Sequence, residues 1–203
     1  MGRIFYVSSM HGDDTNSGQT PEDAFRSLRK IDQLEIEPGD QIFLERGSVF
    51  IGEYLHLYAG GTKEAPVVVD AYGEGALPRI EADGNGIWYQ NYGGQLDNVV
   101  HTWKGYLSSA VLLYDAEYIT VRNLEITNDP LVKNERMNQA DRMNRTGVSV
   151  IAQNHGTLHQ IELAYLYVHD VEGNIYDKHL NNGGIYMSVS RPDDEEKTGI
   201  ARY

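Results

Sequence analysis

Two short clusters carry the residue types that proton transfer needs. His169 stands next to Asp170, and a histidine with a neighbouring carboxylate can take or give a proton near neutral pH. Asp177, Lys178 and His179 follow, placing an acid, an amine and an imidazole in one run. Arg142 and Arg145 close an earlier polar segment, 130–145, that also holds Glu135 and Asp141. Each cluster has a structural counter-reading. Asp170 recurs at the repeat position of Asn128, where Asx side chains can form hydrogen-bonded ladders, and 177–179 also reads as an ordinary solvated loop. Asp13, Asp14 and Asn16, in the turn-forming run 11–18, could offer oxygens to a cation such as calcium. The complete calcium loop with its distal Glu is missing, and Asx turns account for the same residues.

The elements that must position these groups are short strands. Tyr118–Asn128, YITVRNLEITN, alternates through Ile119 and Val121, breaks at Asn123, and alternates again through Leu124 and Ile126. The pattern returns 42 residues later as IELAYLYVHD, with Ile161 on Ile119, Leu163 on Val121, Leu166 on Leu124, Val168 on Ile126 and Asp170 on Asn128. Another apolar alternation recurs every 37 residues: Val111 and Leu113, Val148 and Val150, Ile185 and Met187. One such unit cannot bury its own apolar face, so a strand–corner–strand repeat in register predicts stacked rounds of three strands. The loops after Asn128 and Asp170 leave the same corner of successive rounds and are expected side by side. Ser149 and Tyr186, outward on the strands at 148 and 185, would floor a groove between them.

The first half is less regular. FYVSS opens a strand, and Thr20-Pro21-Glu22-Asp23 reads as a helix start with Thr20 as N-cap and Pro21 in the first position. A helix Ala24–Ile31 would present Phe25, Leu28 and Ile31 on one face and cover the end of the stack. Strands are expected over QIFLER, from Val49 to Leu57, over PVVVD and over PRI. Residues 84–109 interrupt the pattern with a Gly-, Asn- and aromatic-rich segment. Its Trp88 and Trp103 either stack on sugar faces or pack the segment onto the strands.

Composition narrows the partners. The 203 residues carry 30 acidic and 17 basic side chains, net −13, which argues against nucleic acid. Acidity suits solubility and also divalent cations. Without cysteine there is neither a disulfide framework nor a thiolate zinc site. No apolar run approaches the about 20 residues of a membrane helix, and the start shows no signal-peptide core. Asn144-Arg145-Thr146 fits a glycosylation acceptor, a weak pattern. The third round stops after its first strand. The 203 residues are therefore expected to be the N-terminal portion of a longer protein, or to meet a partner that closes the apolar end.

Together these features resemble the right-handed parallel β-helix proteins of the pectate-lyase-like superfamily. The resemblance rests on YVSSMHGDDTNSGQTPEDAFRSL as entry and cap, PGDQIFLERGSVF as an opening coil, and SSAVLLYDAEYITVRNLEITN and YLYVHDVEGN as later coils. It implies one all-β domain, 1–203, with strand, loop and cap helix over 1–37 and coils over 38–203. It further implies a secreted or cell-surface, carbohydrate-active bacterial protein that holds a polysaccharide or oligosaccharide along its first sheet, with calcium as the only cofactor in view. A lyase needs a base beside a uronate carboxylate; His169, Lys178 or His179 could serve, with Arg142 or Arg145 neutralising the carboxylate. A glycoside hydrolase needs two carboxylates roughly 5 to 10 Å apart, and Asp177 with Asp141 or Glu135 is the candidate pair. Trp88, Trp103, Ser149 and Tyr186 would contact the glycan. The superfamily also contains non-catalytic glycan-binding modules, and no family catalytic set maps onto this chain, so that alternative stays open.

Overall fold

A computed structural model describes residues 2–91, 104–129, 143–174 and 182–190 of the chain. Among them the regular secondary structure is nearly all strand, with parallel pairing throughout except at one added ribbon. Three sheets run along the molecule. Sheet I contains β1 (Ile4–Val7), β2 (Gln41–Glu45), β5 (Val67–Tyr72), β9 (Ile119–Arg122) and β12 (Ile161–Ala164). Sheet II contains β3 (Val49–Ile51), β6 (Arg79–Glu81), β10 (Glu125–Asn128) and β13 (Tyr167–Val171). Sheet III contains β4 (Leu55–Leu57), β8 (Lys104–Tyr114), β11 (Asn144–Ala152) and β14 (Gly183–Val189). In every sheet the spatial order of strands follows chain order, and the chain visits sheets I, II and III in turn for four rounds.

The repeat offsets appear as strand registers. Ile119 pairs with Ile161 and Val121 with Leu163, as the 42-residue spacing predicts. Val148 pairs with Val111 on one side and Ile185 on the other, as the 37-residue spacing predicts. The turn from sheet I to sheet II uses a left-handed residue in each round: Gly47, Gly73, Asn123 and Tyr165 have φ of 85°, 77°, 58° and 52°. That conformation reverses the chain within one or two residues; glycine adopts it without strain, and asparagine tolerates it. The expected Val49–Leu57 strand is split by such a residue, Gly52, φ 70°, and its halves enter different sheets.

The capping segment differs from expectation. Thr20 does accept from the Asp23 N–H and Pro21 does begin the turn, but the helix is a single 3-10 turn, Pro21–Asp23. A separate four-residue helix, α1, covers Arg29–Asp32. Between them Phe25 is extended and bridges Val7, its N–H bonded to Tyr6 and its carbonyl receiving Ser8. Pairing with the edge strand β1 outweighs local helix propensity here, since it satisfies backbone groups and buries Phe25. Phe25, Leu28 and Ile31 still face the core beside Phe5 and Val7.

Within the segment 84–109, the described residues 84–91 and 104–109 are more regular than the sequence pattern suggests. β7 (Ile87–Asn91) lies antiparallel to the first half of β8 and covers part of the outer face of sheet III. This explains why all nine residues of β11 are buried: one face meets the core and the other meets the ribbon. At the other end of the stack, Ile185 and Met187 align with buried Val148 and Val150 but are 50% and 57% exposed. No helix among the described residues is long and apolar enough to cross a membrane.

Candidate functional site

The outer face of sheet III and the corner leading into it hold the densest polar structure. Asn128 ends β10 fully buried. Its Oδ1 accepts from the Gly84 N–H at 2.9 Å, and its Nδ2 donates to the carbonyl of Thr146 at 2.9 Å and to Ser108 Oγ at 3.0 Å. One side chain therefore joins two successive rounds. Beside it, Ser109 Oγ lies 2.7 Å from Thr146 Oγ1 and 3.0 Å from Ser149 Oγ. Four buried hydroxyls, on Ser108, Ser109, Thr146 and Ser149, satisfy one another and nearby carbonyls, so this floor is a closed polar lattice.

Ser149, expected on an open groove floor, is completely buried in that lattice beneath the β7 ribbon. Trp88 is 6% exposed; its indole N–H donates to Ser109 Oγ at 2.8 Å and its ring packs with Leu107, Leu112 and Ile151. Of its two sequence readings, packing onto the strands is the one the geometry displays. Tyr186 leans against the same cluster and is partly buried. Arg145 is 7% exposed, flat over Gly84, with Nη1 donating to the Glu172 carbonyl at 3.0 Å and its own N–H held by Asn182 Oδ1. Asn144, of the glycosylation pattern, is buried within β11. Trp103, Arg142, Asp177, Lys178 and His179 lie outside the described residues.

His169 projects from the outer face of sheet II. Its Nε2 is 3.1 Å from Glu125 Oε1 and its Nδ1 is 2.9 Å from Asp170 Oδ2, so the ring bridges two carboxylates. Tyr167 stacks on the ring at 4.1 Å, and Arg79 extends the row beyond Glu125. The predicted Asn128–Asp170 ladder does not form. Asp170 is left-handed, φ 46°, the register slips there, and Asn128 aligns with Val171 instead. A bulge adds one residue to the strand and turns Asp170 outward.

Asp13, Asp14 and Asn16 spend their polar atoms on the loop itself. Asp13 accepts from the Thr15 N–H and hydroxyl, Asp14 from the Arg26 and Ser27 N–H groups, and Asn16 donates to the Ala24 carbonyl. These bonds hold both carboxyls below the usual range, against the opposing effect of burial at Asp14. Among the described residues no group of three or more His, Cys, Asp or Glu side chains is placed to hold a metal.

Sequence reading missed one group near the start of sheet III. His56 on β4 is 6% exposed, and its Nε2 lies 2.9 Å from the Ser109 carbonyl. A carbonyl only accepts, so Nε2 carries the hydrogen and Nδ1 is bare. Burial pushes the imidazole down to about 4. The His56 backbone N–H reaches the Asp32 carboxyl, which crowding by its surroundings and the Glu53 charge push up to about 6 although the residue's surface is largely exposed. Glu53 itself caps α1, accepting from the Leu28 N–H at 2.6 Å. Tyr54, His56, Tyr58 and Tyr114 form a chain of ring contacts 4.5 to 6.4 Å apart, and Tyr58 is 62% exposed. The only sequence signal was the alternation of Tyr54, His56 and Tyr58, in and beside a strand whose register partner is 56 positions away.

No protein-family model matches the chain. A crystal structure of a GH136 lacto-N-biosidase from Eubacterium ramulus, a selenomethionine derivative, superposes with a TM-score of 0.90 at 57% identity, covering 100% of this chain and 32% of that one. The native protein of the same enzyme gives 0.88 at 56%, covering 99% and 32%. A lacto-N-biosidase from Bifidobacterium longum is 40% identical over 215 residues, covering 94% of this chain and 13% of that protein. The chain thus spans about a third of the one relative and about an eighth of the other. These relatives are lacto-N-biosidases, glycosidases by name, and none of them is a lyase.

Proposed function

We propose that this chain forms rounds of a right-handed parallel β-helix in a bacterial glycoside hydrolase of the lacto-N-biosidase type, acting on oligosaccharides outside the cell. The observation that carries the reading is 57% identity along the whole chain to a GH136 lacto-N-biosidase. The cyclic visiting of three parallel sheets supports the helix, and parallel crossovers are almost always right-handed. Hydrolysis needs one carboxylic acid and one carboxylate flanking the bond. His169, bonded to two carboxylates, is better suited to holding sheet II together. Asp177 with Asp141 or Glu135 is the pair to examine, with Arg142 and Trp103 as glycan contacts. The half-exposed Ile185 and Met187 are positions for a further round, from the native chain or a partner, to cover. The test is release of free disaccharide from oligosaccharides ending in lacto-N-biose by the full-length protein. An unsaturated elimination product, or no product from a broad glycan panel, overturns it.

A second reading, glycan binding without turnover, draws on the engagement of described carboxylates in structural bonds, such as Asp115 with Gln153 and Asn154. Saturable binding of the same oligosaccharides with no product would select it.

A further inference from the structure

The outer face of sheet I carries a row that crosses four strands at one level. Tyr6 on β1 aligns with Phe43 on β2, Phe43 with Asp70 on β5, and Asp70 follows Val69, the partner of Val121, to stand beside Arg122 on β9. The first half of the row is aromatic: the Tyr6 and Phe43 rings are 5.7 Å apart, and Tyr72 meets Tyr6 edge-on at 5.1 Å. The second half is a fixed ion pair. Arg122 Nε donates to Asp70 Oδ2 at 2.7 Å and Asn123 Nδ2 to Asp70 Oδ1 at 2.7 Å. Asp70 is 8% exposed, whereas the Arg122 side chain is 43% exposed. The terminal nitrogens of Arg122 have no hydrogen-bond partner among the described residues. Phe43, Asp70 and Arg122 line an open depression of about 510 Å³, walled on one side by Glu64, Ala65 and Pro66.

That combination is selective in chemical terms. A ring beside a preoriented carboxylate–guanidinium pair offers an apolar surface for C–H groups and, next to it, acceptors and donors for adjacent hydroxyls. The charges lining the depression, Asp70, Glu64 and Arg122, sum to −1, so it disfavours anionic ligands. We propose that this groove on sheet I is a binding subsite for an uncharged sugar unit of an oligosaccharide. The ligand class rests on the hydrolase reading above; the site itself does not.

Isothermal titration of the full-length protein with a neutral tetrasaccharide containing N-acetylhexosamine tests this, with a hexuronate tetramer as the anionic control. Arg122→Ala and Phe43→Ala are each expected to weaken the neutral ligand about tenfold or more while thermal unfolding shows both variants folded. Gln41→Trp, which fills the groove and removes no packing, should abolish the same binding event. Neutral binding that ignores all three substitutions overturns the proposal, as does tighter binding of the hexuronate. Variant-sensitive binding without disaccharide release would retain the groove and sink the hydrolase reading, so the two fail separately.

Discussion

Trp88 Nε1 donates to Ser109 Oγ at 2.8 Å, and the same hydroxyl touches Thr146 and Ser149, so one oxygen joins the β7 ribbon to strands of two successive rounds. Ser109→Ala should leave the indole N–H and two hydroxyls short of a partner and cost roughly 1–3 kcal/mol. Trp88→Ala adds lost packing and should cost about 3–5 kcal/mol. Urea denaturation measures both; values under a few tenths for either would show that the ribbon is not fastened to the sheet.

His56 gives the acid side of the stability profile its sign. Its folded value of about 4 lies below the ordinary 6.5. As pH falls through that window the unfolded chain takes up a proton that the folded one refuses, and stability is lost, by roughly 3 kcal/mol at about 1.4 kcal/mol per pH unit. Asp32 works in the opposite sense: its folded carboxyl, at about 6, is protonated before the unfolded one, so acid relieves a cost there. His56→Gln should therefore flatten the fall in melting temperature between pH 6.5 and 4, and Asp32→Asn should steepen it. Parallel profiles for wild type and both variants would contradict the assignment.

Asn128 donates to two carbonyls and a hydroxyl, and Asn128→Asp would turn an acceptor charge toward those carbonyls. A loss of about 3–5 kcal/mol is expected from an unpaired buried charge, read from chemical denaturation at pH 7. Recovery of stability at low pH, where the aspartate is neutral, is part of the expected result; a pH-independent loss would point to sterics instead.

His169→Ala removes two partly exposed contacts with carboxylates, each worth under about 1 kcal/mol. Turnover by the full-length protein should stay within a few-fold. A loss of 100-fold or more, the range expected for a general acid or base, would return His169 to the chemistry.

Asp177→Asn should reduce disaccharide release by at least about 100-fold if Asp177 is one of the hydrolytic carboxylates. Undiminished release would remove it from the reaction.

The strands, their rounds and most registers were legible because inward positions repeat a two-residue alternation that only one stacking satisfies, as Ile119 on Ile161 and Val148 on Val111 show. Three features were not legible, for different reasons. The Asp170 bulge leaves the apolar alternation intact through Val168 and acts only on a polar residue, so the pattern holds no trace of it. Phe25 is helical by its neighbours and extended by its partner, an outcome decided by contact with β1. The ribbon at β7 converts outward Trp88 and Ser149 into interior residues, and burial on a second face has no periodic signature. For the site, sequence found residue types but not their company: Arg145 reads as a free cation and is folded against Gly84 and Glu172. The Asp32–His56 group reads as nothing because its members belong to different elements.

That strand order along each sheet equals order along the chain has a consequence for biosynthesis. Among the described residues the Phe5–Phe25 pair is made before the rounds, and each round after the one it rests on, so none of these strands must wait for a distant segment to be made. Every newly emerged turn finds a finished template on one side and exposes a fresh one on the other. Assembly of these rounds can therefore proceed as directional growth, at the speed of translation.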